Sequence, residues 1–171
     1  MCPASRVDVS PAVGPVLVRP IEPADAEAWL AFIGGLSPAT RFKRAARRLE
    51  DLTPEGVRAA TTPDPAHEIA LVAVPERGGE LCGVARLLLR DEGRAGEFLL
   101  VVGDRWQRQG IGGRLMQSLL DTAAHRGVWT IDGAVLATNR GMIEFVQRLG
   151  FNVEPLVSGE LAVRVVRHLG A

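Results

Sequence analysis

The chain has 171 residues, the length of one domain, with 47% apolar and 23% charged residues, a composition that excludes a disordered chain, a collagen-like repeat and a disulfide scaffold. Twenty Lys plus Arg balance twenty Asp plus Glu, and that zero formal charge argues against a dedicated nucleic-acid binder. Cys2 and Cys82 lie far apart with no metal-type spacing, so reduced thiols and a cytoplasmic location are the default reading. Residues 1–15 lack a long apolar run behind basic residues, so no secretory signal is expected. The apolar run at 69–74 is far too short to span a bilayer.

Pro3, Ser5, Ser10, Pro11 and Gly14 make residues 1–12 a loose tail ahead of a single domain over 13–169. Residues 16–19 read as a short strand. Pro23 opens a helical segment through Leu30 or beyond, with Trp29 and Phe32 at i and i+3, and Gly34 with Gly35 ends it. Ser37 and Pro38 then supply an N-cap and a first helical residue whose missing N–H costs nothing. Behind them Phe42, Ala45, Ala46 and Leu49 form one apolar face. Thr53 and Pro54 repeat the start signal for a short helix through about Ala60, and Pro63 and Pro65 mark a loop.

The period then changes. Residues 68–74 and 81–89 favour strands, separated by a hairpin turn at 77–80. Residues 93–96 read as a second turn before a strand at 97–102. Ile111, Leu115, Met116, Leu119, Leu120 and Ala123 follow helical spacing until Gly127. A strand at 130–137, a helix at 140–149 closed by Gly150, and a strand at 161–166 complete the chain, with room for a short strand after Phe151. Tight turns between consecutive strands imply antiparallel pairing, and strand–helix–strand over 97–137 implies a parallel crossover. The expected fold class is α/β (α+β): a mixed, mostly antiparallel sheet of six to seven strands with helices on both faces.

The most informative stretch is Gln107-Arg108-Gln109-Gly110-Ile111-Gly112-Gly113, placed after a strand and opening a helix. Glycines there let a phosphate approach the backbone, and free N–H groups with the helix dipole favour an anion. A tight strand-to-helix turn is the structural reading of the same residues. A P-loop is absent, and the dinucleotide fingerprint fails because Leu115 stands where its third small residue belongs and Asp132 falls early in its strand.

Gln-x-x-Gly-x-Gly after an apolar strand resembles the acyl-CoA signature of the GNAT superfamily of N-acetyltransferases. Asn139 opening the next helix, Arg148-Leu149-Gly150-Phe151 closing it, and the element order over 16–166 extend the resemblance. The stretch from Gly96 to Gln107, with Glu97-Phe98, Val101-Val102 and Asp104-Arg105-Trp106-Gln107, is similar to the bacterial protein-lysine acetyltransferase type. So is Leu36-Ser37-Pro38 followed by Arg41 and Arg44.

The resemblance implies transfer of an acetyl group from acetyl-CoA to a primary amine by direct attack, with a protein lysine as acceptor. A small amine or antibiotic acceptor, or a non-catalytic acyl-CoA sensor, are the alternatives. It implies that backbone groups of Leu100, Val101 and Val102 line the pantetheine and acetyl group. The N–H groups of Arg108, Gln109, Gly110, Ile111, Gly112 and Gly113 would hold the pyrophosphate, Asn139 would contact the pantetheine or sulfur end, and one strand N–H near Val102 would face the oxyanion. An ammonium of pKa about 10.4 needs a base. Glu97 matches the glutamate of the lysine-acetyltransferase relatives, and alternation puts it on one sheet face with Leu99 and Val101. A solvated charge at a strand start is the plainer reading. Many relatives carry a tyrosine seven residues after the asparagine; here Val146 stands there and the chain has no Tyr. The resemblance leaves room for a homodimer through the late strands, and implies no metal, nucleic acid or membrane partner.

Arg41, Lys43, Arg44, Arg47 and Arg48 read as a solvated basic face, with docking of an acidic partner or of the cofactor's 3′-phosphate as the sharper alternative. His67, His125 and His168 lack metal-ligand spacing, and His125 with Asp121 reads as a surface pair. Cys82 reads as core. Trp106 either packs the turn or faces the acceptor.

Overall fold

The computed structural model describes residues 5–7, 14–43, 53–155 and 159–170. The strands are β1 (Ser5–Val7), β2 (Val16–Pro20), β3 (Glu68–Pro75), β4 (Gly83–Arg90), β5 (Ala95–Val102), β6 (Thr130–Leu136), β7 (Asn152–Val153) and β8 (Ala162–His168). The helices are α1 (Ala26–Gly34), α2 (Pro38–Lys43), α3 (Pro54–Thr61), α4 (Ile111–His125) and α5 (Arg140–Arg148). One sheet results, in the order β1-β2-β3-β4-β5-β6-β8-β7. Neighbours are antiparallel except β5 and β6, which run parallel on either side of the α4 crossover. The mixed, mostly antiparallel sheet is therefore present, with eight strands among the described residues where six to seven were expected. The extra strand is β1, inside residues 1–12 that read as a tail: Ser5 pairs with Val18 and Val7 with Val16, and edge pairing of three residues needs no apolar period.

Local chemistry sets the helix starts. Thr53 Oγ1 accepts the Gly56 N–H at 3.1 Å, and Ser37 Oγ accepts that of Thr40 at 3.2 Å, each ahead of a proline that has no N–H to satisfy. The Arg41 guanidinium turns back onto the carbonyls of Leu36, Ile33 and Gly34, closing the end of α1. The apolar stripe expected over 42–49, with Arg44, Arg47 and Arg48, lies outside the described side chains. The second turn falls at 91–93, earlier than expected, where Asp91, Glu92 and Gly93 all have positive φ. Gly96 belongs to β5 instead, because a Cβ there would meet Leu87 Cγ at 2.7 Å.

The two sheet faces carry separate cores. Leu115, Met116 and Leu119 of α4 and Val146 of α5 pack with Leu87, Phe98, Ile131 and Val165. On the other face Trp29, Phe32 and Ile33 of α1 and Val57 of α3 pack with Val72, Val84 and Val101. Each such large side chain contributes about 1.5–3 kcal/mol of burial. Arg86, buried on this second face, binds Glu68, donates to the Ala60 carbonyl at 3.0 Å and lies 5.5 Å over the Trp29 ring. That pairing is what makes a buried guanidinium tolerable. Cys82 is fully buried, and desolvation pushes its thiol up to about 11, so it is core and not a nucleophile. His125 Nδ1 meets the backbone carbonyl of Asp121 at 2.7 Å, while the Asp121 carboxylate accepts from Gln117, so the expected side-chain pair does not form.

The feature that positions the site is the short pairing of β5 with β6. Only Ala95 with Thr130, Gly96 with Ile131 and Glu97 with Asp132 are in register, and beyond them the strands part. The Phe98 ring lies over Gly133 at the fork and meets Phe151 edge-on, with centroids 5.3 Å apart at 62°. A Cβ on Gly133 would come within 2.6 Å of Phe98 Cε1. Gly133→Ala is therefore expected to cost about 1–3 kcal/mol in thermal or urea unfolding, as overpacking does. Phe98→Leu should recover part of that loss in the double variant, and strict additivity would show that the two positions do not press on each other.

Candidate active site

Beyond Glu97 the β5 edge facing β6 has no strand partner, so its backbone groups border a cleft of about 1330 Å³. Glu97, Leu100, Val101, Val102, Arg108, Gly110, Gly112, Gly113 and Asn139, all singled out from the sequence, line this one cleft. Gln109 and Ile111 do not. Ile111 is buried in the core, and the Gln109 amide folds back to donate to the Arg105 carbonyl at 2.7 Å, so only their backbones belong to the turn.

Gly110 precedes α4 with φ of +83°, and no side chain caps the helix start. Arg108 also has positive φ, +59°, so the turn brings the first N–H groups of α4 round to one end. A Cβ on Gly112 would stand 3.5 Å from Val102 Cγ2 and 3.6 Å from Leu100 Cδ2, ordinary contact distances. Packing around the Cβ position therefore does not by itself demand glycine there, and Gly112 lines the cleft. An uncapped helix terminus with room beside it fits an anionic group such as a pyrophosphate.

The turn is anchored from outside. Asp104 accepts from Ser37 Oγ at 2.6 Å, from the Ser37 N–H at 3.0 Å and from Thr40 Oγ1 at 2.7 Å. Gln107 Nε2 donates to the Val102 carbonyl at 3.1 Å and to Thr40 Oγ1 at 3.3 Å. Two stretches read separately in the sequence, Leu36-Ser37-Pro38 and Asp104 to Gln107, thus meet beside the cleft. Trp106 is half-buried, packed against the core and stacked under Arg105 at 5.0 Å, as the packing reading expects. Asn139 caps α5, its side-chain oxygen accepting the Met142 N–H at 3.4 Å.

Side-chain alternation divides β5. Phe98, Leu100 and Val102 turn toward the α4 and α5 core, and Leu99 and Val101 toward the α1 and α3 core. Glu97 shares the face of Leu99. At the fork Leu88, Glu97, Asp132 and Val166 form one row across β4, β5, β6 and β8. Asp132, 5% exposed, was missed as a site residue. Its Oδ2 accepts from Arg90 Nη2 at 2.5 Å and from Arg164 Nη2 at 2.6 Å, while its buried Oδ1 has no hydrogen-bond partner among the described residues. Burial alone would raise its pKa, but the hydrogen bonds from Arg90 and Arg164 outweigh that and hold the carboxyl below its ordinary value. Arg164 also binds Glu154 at 2.9 Å. The cleft is consequently polarised. Arg108 and the α4 terminus make the turn end cationic, while Glu97, Asp132 and Glu154 outnumber Arg90 and Arg164 at the fork.

The profile of the Acetyltransferase (GNAT) family matches residues 39–151. Acetyltransferase PA5475 of Pseudomonas aeruginosa is 31% identical over 138 residues, covering 80% of this chain and 74% of that protein. The chain belongs to the GNAT acetyltransferase family. It is an acyltransferase, an acetyl-CoA-dependent N-acetyltransferase whose second substrate is an amine. The fold of this GNAT acetyltransferase is shared with the GNAT domain of S. lividans PAT, with a TM-score of 0.83 at 23% identity over 96% of each chain. It is also shared with the spermidine/spermine N-acetyltransferase SpeG of Vibrio cholerae, with a TM-score of 0.67 at 17% identity over 90% of this chain and 92% of that one.

The Asp104 contacts have a pH signature. Chiefly the Ser37 hydroxyl, then the Ser37 N–H and the Thr40 hydroxyl, lower its carboxyl to about 2. A folded pKa below the ordinary value of about 3.9 stabilises the fold above that value, and the contribution is lost as pH falls from about 4 through about 2. Asp104→Asn should flatten that acid limb in circular-dichroism melts collected from about pH 5 to pH 2. Equal slopes for variant and wild type would show that these bonds are not kept in solution.

Proposed function

We propose that the acceptor is a protein lysine and that Glu97 removes the proton from its ammonium in a ternary complex with acetyl-CoA. The observation that carries this reading is the polarised cleft: an anion-binding helix terminus in one part and a carboxylate-rich floor in the other. Leu161, 80% exposed at the cleft wall, offers an apolar rim on which a polypeptide can rest and a compact amine would not. A polyamine acceptor is the second reading, favoured by the same acidic floor and by the likeness to the Vibrio cholerae enzyme.

The residues divide the work as follows. Acetyl-CoA supplies the activated thioester. The N–H groups of the turn from Arg108 to Gly113 bind its pyrophosphate, and the free edge of Leu100, Val101 and Val102 orients the pantetheine and the acetyl carbonyl. Asn139, fixed as the α5 cap, presents its amide N–H₂ to the pantetheine end. Glu97 takes one proton from the ammonium, the neutral nitrogen attacks the carbonyl carbon, and as the C–S bond breaks the acylated nitrogen sheds its second proton to water, which passes it on to the leaving sulfur. The CoA thiolate takes up a proton from water, because Val146 is fully buried and puts no acid there.

Glu97→Gln should lower kcat/KM for a lysine peptide by about 10²–10⁴-fold and remove the acidic limb of its pH profile, with acetyl-CoA affinity kept within about twofold. An unchanged profile would disqualify Glu97 as the base. Gly112→Ala, whose Cβ meets its neighbours only at ordinary contact distances, should leave the melting temperature nearly unchanged yet weaken acetyl-CoA binding by calorimetry, because a methyl group then stands where the phosphate approaches the backbone. Free CoA binding alongside acetyl-CoA, and ATP failing to bind, are the expected controls.

A further inference from the structure

At the end of β5 the Gly103 N–H donates to the Cys82 carbonyl at 2.9 Å, on the β4 side, and successive residues of a strand turn their backbone groups to opposite edges. The N–H and C=O of Val102 therefore both face the cleft, and so do those of Leu100. The Val102 carbonyl is already engaged, because Gln107 Nε2 donates to it at 3.1 Å. The same nitrogen donates to Thr40 Oγ1 at 3.3 Å, and Thr40 Oγ1 stands 2.7 Å from Asp104 Oδ1. A carboxylate only accepts, so the Thr40 hydroxyl gives its one proton to Asp104 and has lone pairs left for Gln107. Gln107 then presents its N–H₂ and not its oxygen, and the second N–H of that group points at Val102. The acid thus fixes the sense of every bond in the row from Asp104 through Thr40 and Gln107 to Val102. Ser37 holds the acid in place, its Oγ donating to Oδ1 at 2.6 Å and its N–H to Oδ2 at 3.0 Å.

We propose that Thr40 is a positioning residue for acyl transfer: with Asp104 behind it, it holds Gln107 on the Val102 carbonyl and so fixes the direction in which the Val102 N–H enters the cleft. This rests on the reading of the cleft as the transfer site, where that N–H is the strand donor to the thioester oxygen. Thr40 and Gln107 both line the cleft, so the row ends at the place it controls. Val102 is where such a hold is needed. By this point β5 has parted from β6, and Gly103 leads the chain out of the strand into a short turn. A loose carbonyl on that edge would compete for a ligand's amide groups and let the peptide planes rock. Tied down, it leaves the N–H as the group on offer. A donor to a developing oxyanion has to stand about 2.7–3.1 Å from it, so a small rotation of the strand end is felt in the rate. The hold comes from α2, an element that carries no part of the pyrophosphate turn.

The test is difference infrared spectroscopy of acetyl-CoA labelled with ¹³C at the acetyl carbonyl, bound to the intact protein, with affinity measured in parallel by calorimetry. Wild type should show one narrow thioester band, shifted below that of free acetyl-CoA. Thr40→Val should move the band back toward the free position and broaden it, while the dissociation constant stays within about threefold. Thr40→Ser keeps the hydroxyl and should keep the wild-type band. Gln107→Glu removes the amide donor at nearly constant shape and should act as Thr40→Val does; it decides alone if Thr40→Val fails to fold. A wild-type band in Thr40→Val and Gln107→Glu overturns the proposal. So does Thr40→Ser behaving like Thr40→Val, because the hydroxyl then does not carry the effect. Lost affinity with an unmoved band would reduce the row to a support of the turn, and that too overturns it. No acceptor is present, so the outcome does not depend on which amine is acetylated or on Glu97. Bound acetyl-CoA with an unresponsive band overturns the positioning role and spares the acyl-transfer reading. Failure of the wild type to bind acetyl-CoA overturns the cofactor reading and this inference with it.

Discussion

The structure depends on where β5 and β6 stop being partners. Three residue pairs hold them, and after Glu97 and Asp132 the ladder ends. An unpaired strand edge is a cost in most folds, because backbone N–H and C=O groups require partners. Here the opening is enforced from one side by a ring, Phe98 lying over Gly133 and braced by Phe151. The same wedge that ends the pairing leaves two polar edges lining a cleft. A ligand carrying amide groups along its length, as pantetheine does, is the kind of molecule that can take up those edges without closing the sheet.

Charge is then laid out along the opening. No side chain caps the α4 terminus, so its partial positive charge is not neutralised by a cap. Asp104, the nearest carboxylate in sequence to the turn, is diverted to Ser37 and Thr40 and so does not cancel that field. Its contacts also fasten α2 to the turn, which couples the early helices to that end of the cleft. On the opposite side, Asp132 has its charge balanced by two arginines while Glu97 stands one strand away.

What the sequence made legible follows from the range of each signal. Helix caps, the Gly110 turn and the strand runs are encoded within a few residues, and the fold has them close to where they were read. Gly96 misled because glycine in a turn and glycine under a neighbouring side chain look alike in one dimension; Leu87 decides, and it comes from another strand. The strand at Ser5–Val7 was hidden because a short edge strand carries no apolar period. Asp132 was weighed only as a nucleotide-ribose ligand. An acid inside an apolar strand is itself a signal. Its pairing with Glu97 spans a crossover of more than thirty residues, and parallel register across a helix cannot be read from local pattern.

The missing tyrosine fits the same distribution of chemistry. Delivering a neutral amine at neutral pH from an ammonium of pKa about 10.4 costs about 4–5 kcal/mol. Releasing a thiolate whose conjugate acid has a pKa of about 8.5 leaves a mismatch of only about 2 kcal/mol at the same pH, and water can supply that proton. A side chain dedicated to the amine therefore gains more than one dedicated to the sulfur. The carboxylates sit at the fork floor, and the α5 position that could have carried an acid is given instead to Val146, fully buried in the core beneath α5. Spending that position on packing strengthens the α5 side of the cleft, the side from which Asn139 and Phe145 border it.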